Sequence, residues 1–540
     1  MAETSGRVKP GRAYYALTAL SLSIGWGIRG NFGHEYGALL PGALAAMAVV
    51  LLSGRDDWRR RVAYFAMFGA LGWSFGGSMS YMQVVAYTHS GHSLSVLYGF
   101  ACLFVIGFLW AAPGGAGTAL AAFADRGLLT ELFAPITAVF VAWWLQGVLI
   151  APRLASLFGR EWLNWYDTDW LAALLAAVAA LVLAASRGRL DRATSLVLHM
   201  AVGWWAGFVL LVLVLGLRMT PPRGDNWAGC AGMTAGILVY CLRNGLAPVA
   251  RAALVTGFVG GIGFAAASML KLVEITCGLD TNWHSILEQT TGLFNGLAVA
   301  LAMAGPARTA ASPSDAAVDD DGTGTLAPAP APARRWTEVY AVGFVLLGIT
   351  YLNLRKNPEM WVRDRVMPET LAGLPTVTWF DLAYLALAAA VLIPLARHLR
   401  RPLRLVPESP LGRGQWLYLV LLWWMVAGNF DRAIVNFTPQ RLVTEGVIHL
   451  NAVLSTLLLI LAPTVAWSAP SDGEGLTRGK ESRIVRLMAV GLAAGALSVL
   501  FDWGVVRAIY GDRYAGGKYA GLSIRFGPNA TTAPKPRPLR

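Results

Sequence analysis

The sequence predicts an all-α polytopic membrane protein of about 15 transmembrane helices. They are expected to form a tandem parallel duplication of a six-helix unit, followed by a C-terminal three-helix segment. Three observations carry that expectation. Of 540 residues, 56% are hydrophobic and only 14% charged, too few charges to clothe several soluble domains. The apolar runs are about 17–25 residues long, enough to cross about 30 Å of hydrocarbon as helices. The first six runs then recur, in order and in the same direction.

The first copy occupies 13–28, 36–54, 62–86, 94–112, 132–151 and 170–186, and the second begins near 194. The first membrane exit reads Arg29-Gly30-Asn31, and its counterpart reads Arg223-Gly224-Asp225. A glycine-rich third run ends in Ser78-Met79, matched by Ser268-Met269. The next turn carries His92-Ser93-Leu94 ahead of Gly99, echoed by His284-Ser285-Ile286 ahead of Gly292. Trp165-Tyr166-Asp167 is echoed by Trp379-Phe380-Asp381, each opening an apolar run. Same-direction repeats of an even number of spans give halves related by an axis along the membrane normal, a plan used by transporters.

Segment boundaries follow from these matches. Residues 1–192 form the first repeat, 193–304 and 336–400 the two parts of the second, and 401–507 the three-helix segment. Residues 508–540 form a polar tail. Between the two parts lies 305–335, rich in Ala, Pro, Gly and Asp and free of aromatics, which reads as a disordered cytoplasmic linker. Gly428-Asn429-Phe430 weakly repeats Gly30-Asn31-Phe32, so the last segment can be read as a partial third copy.

The net charge of +13 does not call for nucleic acid. Most of its cations sit in alternate loops: Arg55 and Arg59–Arg61, then Arg187, Arg189 and Arg192, then Arg243 and Arg251. The series continues with His398, Arg400, Arg401 and Arg404, and with Arg478, Lys480, Arg483 and Arg486. With Arg7, Lys9 and Arg12, these satisfy the positive-inside rule for a cytoplasmic N-terminus in a plasma (inner) membrane. The first span has no small-residue cleavage site after it and reads as a retained helix. The 4 cysteines lack CxxC spacing and read as small apolar packing groups.

Once the basic loops are placed inside, the mixed polar segments all fall on the extracytoplasmic side. They are 26–37, 87–93, 218–227, 274–285, 353–365 and 428–446. Mere connectors need only turn residues, so these segments imply a site or a vestibule leading to one. The candidate substrate-binding residues are Arg29, Asn31, His34, Glu35, Arg223, Asp225, Lys271, Glu274, His284, Asp431 and Arg432. Arg29 can grip an anion with its planar fork, and His34 and Glu35 can bind or relay a proton. The glycines at 25, 27, 30, 33 and 37 suggest a broken or re-entrant backbone there. The bland alternative is an Arg–Glu pair that pins the loop.

Lys271 and Glu274 stand three apart and read more readily as a mutual ion pair than as ligands. His89 and His92 do not make a zinc site by spacing, so no metal and no cofactor is expected. Ser93 and Ser285 read as helix N-caps. Glycine-rich 69–77 and 257–268 read as tight helix packing, or as walls of a cavity.

GxSxG occurs at 72–76 and GxGxxG at 25–30, each within or at the end of an apolar run rather than at a strand-to-helix turn. Neither therefore reads as a nucleophile elbow or a dinucleotide fingerprint, and no phosphate-binding P-loop or kinase signature is present. Two readings of different class remain, with a non-catalytic scaffold behind them. The first is a transporter of a small polar, plausibly anionic solute. The second is an extracytoplasmic-facing transferase or hydrolase acting on a lipid-linked or envelope substrate. It would use the carboxylates Asp431 and Glu445 with His449 (and Asn451 nearby) as acid or base, and Arg432, Arg441 and the cations of 355–365 as a phosphate hold. The expected partners are therefore the lipid bilayer and a small polar solute or lipid-linked substrate, with no nucleic acid; no oligomeric state follows from the sequence. The plan of six plus six spans with the basic loop GRDDWRRR after the second resembles the major facilitator superfamily at the level of architecture. The superfamily's loop motif is not matched, and three spans are additional.

Overall fold

A computed structural model describes residues 11–76, 79, 81–91, 93–159, 163, 165–219, 224–307, 335–401, 410–435, 437–461 and 480–511. The expected linker falls almost wholly outside these residues, as does the polar tail. The protein is an all-α polytopic membrane protein. Its long helices are α1 (Arg12–Phe32), α2 (His34–Leu52), α3 (Val62–Phe75), α4 (Ser93–Phe123) and α5 (Arg126–Phe158). They continue with α6 (Trp170–Arg187), α7 (Arg192–Val214), α8 (Asn226–Arg243), α9 (Ala247–Cys277) and α10 (Trp283–Ala307). The last are α11 (Arg335–Arg363), α12 (Thr376–Arg400), α13 (Pro410–Val435), α14 (Pro439–Leu461) and α15 (Lys480–Tyr510).

Among the described residues, 11 helices are long and apolar enough to cross a membrane: α4–α7 and α9–α15. The apolar part of α2 and the whole of α3 are shorter. The β-structure described is a two-stranded hairpin, Thr370–Leu371 against Leu374–Pro375, between α11 and α12. Helix starts follow ordinary capping chemistry. Asp125 accepts from the Leu128 amide (2.8 Å) and Asp191 from the Thr194 amide (2.7 Å). Arg192 also holds Asp125 through two bonds of 2.7 and 2.9 Å, which keeps its carboxyl below the usual range.

The chain folds into two compact units. The first comprises Met1–Ser74, Gly117–Ala122 and Gly278–Arg478, and so contains α1–α3 and α10–α14. Here α1 is the central helix, packed between α2 and α10. Close approach is set by glycine: a Cβ at Gly25 would lie 2.5 Å from Pro41 Cα, and one at Gly296 2.4 Å from the Thr18 carbonyl oxygen.

The second unit comprises Phe75–Ala116, Phe123–Cys277 and Gly479–Arg540, and contains most of α4, with α5–α9 and α15. Its tightest crossing is α7 on α8, where Gly203, Gly207, Gly232 and Gly236 put backbone on backbone. The glycine-rich stretch of α9 lies against Phe104 and Phe108 of α4. Glycine in both units thus serves close packing. Cys102, Cys230 and Cys241 are buried and Cys277 is exposed, none of them in a disulfide.

The backbone expected to be re-entrant at 26–37 is instead two continuous helices joined by one residue. Gly33, at φ 96° and ψ 172°, is the whole connection between α1 and α2. Only glycine occupies that region without strain. Gly33→Ala is therefore expected to destabilise the protein by about 1–3 kcal/mol, read as a lower thermal unfolding midpoint in detergent. An unchanged midpoint would show that the hairpin can be re-formed another way.

A polar assembly at one end of the first unit

The last turn of α1 holds Arg29, which is 1% exposed. Its Nη1 donates to both carboxylate oxygens of Glu288 in α10, at 3.1 Å each, and Glu288 is 2% exposed. The guanidinium also lies 4.9 Å from the centre of the Trp26 ring, one helical turn back. Gly37 of α2 passes over this turn, where a Cβ would stand 2.7 Å from the Arg29 carbonyl oxygen. His284, one turn before Glu288 on α10, brings Nε2 to 3.7 Å from the same carboxylate. The pair that pins Arg29 is thus made across the bundle, with a residue 259 positions away.

Asn31 begins a closed ring of polar side chains. Its Nδ2 donates to Asn429 Oδ1 of α13 (2.6 Å), and Asn429 Nδ2 donates to Glu445 Oε2 of α14. Arg441 of α14 stands 3.9 Å from Glu445 Oε1 and donates through Nη2 to Asn31 Oδ1 (3.0 Å). Asn429 and Glu445 are fully buried. The ring ties α1, α13 and α14 together by groups whose hydrogen bonds are met within it. Beside it, Gln289 donates to Ser285 Oγ (3.1 Å) and accepts from Ser23 Oγ at its carbonyl (2.8 Å).

A third set faces outward from the same helix ends. Lys356 donates to the Phe32 carbonyl oxygen and lies 5.3 Å from the Tyr36 ring centre. Arg432 of α13 lies 5.5 Å over the Phe32 ring and donates to Asn357 Oδ1 (3.4 Å). Asn357 in turn donates to the Gly428 carbonyl oxygen (2.8 Å). Lys356, Glu359, Met360, Arg363 and Arg432 line a half-open cavity of about 410 Å³. Glu359 is partnered by Arg355 (3.4 Å) and Arg363 by Asp364 (2.9 Å). Among the described residues, Arg432 meets no carboxylate at ion-pair distance, so the cavity carries excess positive charge.

Of the sequence-predicted residues, Arg29, Asn31, His284 and Arg432 come together in this unit. Asp431 is exposed on the turn beside Arg432 and takes part in none of these bonds. His34 and Glu35 begin α2, and their side chains lie outside the described residues, as do Arg223 and His92. Asp225 belongs to the second unit, fully buried, and accepts from Arg218 Nε (2.6 Å). Lys271 and Glu274, in the same unit, pair with each other at 2.5 Å. The N-terminus of α10 is capped by Asn282, whose Oδ1 accepts from the Ser285 amide (3.2 Å), and not by Ser285 as its recurrence suggested.

Glu288, Gln289 and Asn357 were not singled out in the sequence, Asn429 was noted only as a repeat match, and Lys356 only among the cations of 355–365. Their signal was present, since Glu288 and Gln289 interrupt an apolar helix directly after the polar segment 274–285. Among the described residues no three His, Cys, Asp or Glu side chains converge as ligands. Compared with protein families, with characterised proteins and with solved structures, the chain matches none.

Proposed function

We infer that the protein is a multi-pass transporter of a small anionic solute, received at the cationic cavity of the first unit. The observation that carries this is the cavity itself: Lys356, Arg363 and Arg432 face it, and Lys356 and Arg432 also grip Phe32, in the last turn of the helix that bears Arg29. A solute that changes the position of these two cations therefore acts directly on the end of α1. Arginine and lysine in this combination suit a carboxylate, sulfate or phosphate group.

The reading includes about fifteen spans, built from two copies of a six-helix unit plus three helices, in a plasma (inner) membrane with the cavity extracytoplasmic. Several recurrences support the duplication. The third helix of each proposed copy breaks before a short final segment, Met82–Tyr87 in one and Leu270–Cys277 in the other. The fifth helix of each carries one π-helical stretch, Gln146–Ile150 in α5 and Phe344–Gly348 in α11. Each compact unit takes three helices from one copy and three from the other: α1–α3 with α10–α12, and α4–α6 with α7–α9. Exchange of half-copies in this way gives two bodies of equivalent make-up, which suits alternating access.

Inorganic phosphate and sulfate are the probes for the test. Arg432→Gln is expected to weaken their binding by about tenfold or more, the value of one charge-assisted hydrogen bond, in calorimetry on the detergent-solubilised protein. Uptake of the same anions into proteoliposomes is expected to fall with it. Unchanged affinity in a folded Arg432→Gln protein would sink the assignment.

One observation favours a membrane-embedded transferase as the second reading. Glu445, Arg441, Arg432 and Lys356 all gather at one end of one unit, the arrangement a lipid-linked phosphate would meet from the side. Anion binding without uptake into vesicles, accompanied by conversion of an added lipid-linked substrate, would select it.

A further inference from the structure

The polar groups of α10 continue well past the ion pair. His284, Glu288, Thr291 and Asn295 follow one another at intervals of four, three and four residues, within about 60° of one another around the helix and about 16 Å along it. Asn295 is the central residue of α10 (Trp283–Ala307). It is 1% exposed, and neither its amide nitrogen nor its amide oxygen meets a protein partner among the described residues. Thr291, 0% exposed, likewise has no partner for its hydroxyl, and Gln289 has none for its side-chain oxygen.

The closest backbone contact between α10 and α1 lies beside these groups. That contact runs along Gly292 and Gly296, where a Cβ would stand 2.7 Å from the Leu22 carbonyl oxygen and 2.4 Å from that of Thr18. The polar stripe lies beside this seam. A buried primary amide has two donor hydrogens and two acceptor sites to satisfy, and leaving them unmet in an apolar setting is costly. Such groups are met by ordered water, which makes two to four hydrogen bonds of its own. Thr291 lies between Glu288 and Asn295, so water held by one amide or hydroxyl is within reach of water held by the next.

We propose that Glu288, Thr291 and Asn295 line a water-filled path from the charged end of the first unit to the middle of α10, and that a proton carried along it to mid-helix with the anion leaves on the opposite side as the transporter turns over. Its outer end is set by Arg29 of α1 and His284 of α10, the described charged and titratable groups facing Glu288; the side chains of His34 and Glu35 at the start of α2 are not described. Asn295 and Thr291 are neutral groups that both donate and accept, which orients a water chain without trapping an ion on it. The path deepens the transport reading, on which its role as a coupling route rests, by naming the coupling ion as a proton.

The test uses the full-length protein in liposomes that enclose a pH-sensitive dye, in phosphate buffer, with an inward proton driving force set by a potassium gradient and valinomycin. The wild type is expected to acidify the lumen faster than protein-free liposomes. Asn295→Leu is expected to lower that rate to the protein-free value, Thr291→Val to lower it partly, and Asn295→Ser, which keeps a polar group and leaves room for water, to retain it. A wild type no faster than empty liposomes overturns the proposal, as does an Asn295→Leu protein that acidifies the lumen like the wild type. Phosphate binding by calorimetry is read separately on the same preparations, so loss of the proton path with binding intact is distinguished from failure of the anion assignment.

Discussion

Arg29→Ala is expected to cost about 3–5 kcal/mol of stability, because it leaves the Glu288 carboxylate buried without its partner charge. The remaining His284 is 3.7 Å away and substantially exposed, a poor substitute for a guanidinium that donates to both oxygens. Thermal or denaturant unfolding in detergent measures the loss. Arg29→Lys is expected to fall between, since an ammonium keeps the charge but loses the planar fork and the contact with Trp26. Removing both charges, as Arg29→Met with Glu288→Leu, is expected to restore most of the stability, because the desolvation cost of both ions vanishes together. A single Arg29→Ala protein as stable as the wild type would mean that the ion pair does not hold α1 to α10.

The second large effect belongs to the other unit. A Cβ at Gly232 would lie 2.0 Å from the Gly203 carbonyl oxygen, and one at Gly203 2.4 Å from that of Gly232. The obstacle is backbone, so no rotamer change relieves it. Gly232→Ala is expected to destabilise by about 3 kcal/mol, the upper end for overpacking, and Gly232→Leu to prevent α7 and α8 from closing at all. Gly305→Ala in α10, where nothing lies within 4 Å, is the control. It is expected to be neutral or slightly stabilising, since alanine favours the helix over glycine. Size-exclusion profiles and unfolding midpoints read all three.

What the sequence made legible follows from periodicity and local chemistry. The apolar runs set the helices, and the turn residues between them set most of their ends. The ion pair of Lys271 and Glu274 was readable because its members are one helical turn apart. The chemistry at Arg29 was readable only in part. An arginine inside an apolar run announces a partner, but its glutamate lies 259 residues on, and no short-range pattern selects Glu288 over the nearer Glu35. The glycines of 25–37 misled for a related reason. Glycine marks both a broken backbone and a close helix crossing, and only the position of Pro41 and of the Arg29 carbonyl shows that crossing is the reason at Gly25 and Gly37. The Asn31 ring draws on α1, α13 and α14, and its members became visible as one network only when those helices were brought together.

The pairing of Arg29 with Glu288 has a consequence for biogenesis. At about 5–20 residues per second, the ribosome needs about 13–50 s to make the 259 residues that separate the two side chains. Through that interval α1 has left the ribosome while the helix that neutralises it does not yet exist. The charge sits in the final turn of α1, within reach of an interface, so its long side chain can wait in the headgroup region and be drawn in when α10 arrives. Insertion of the first helix and its final burial are therefore separate events, ordered in time by the length of chain between them.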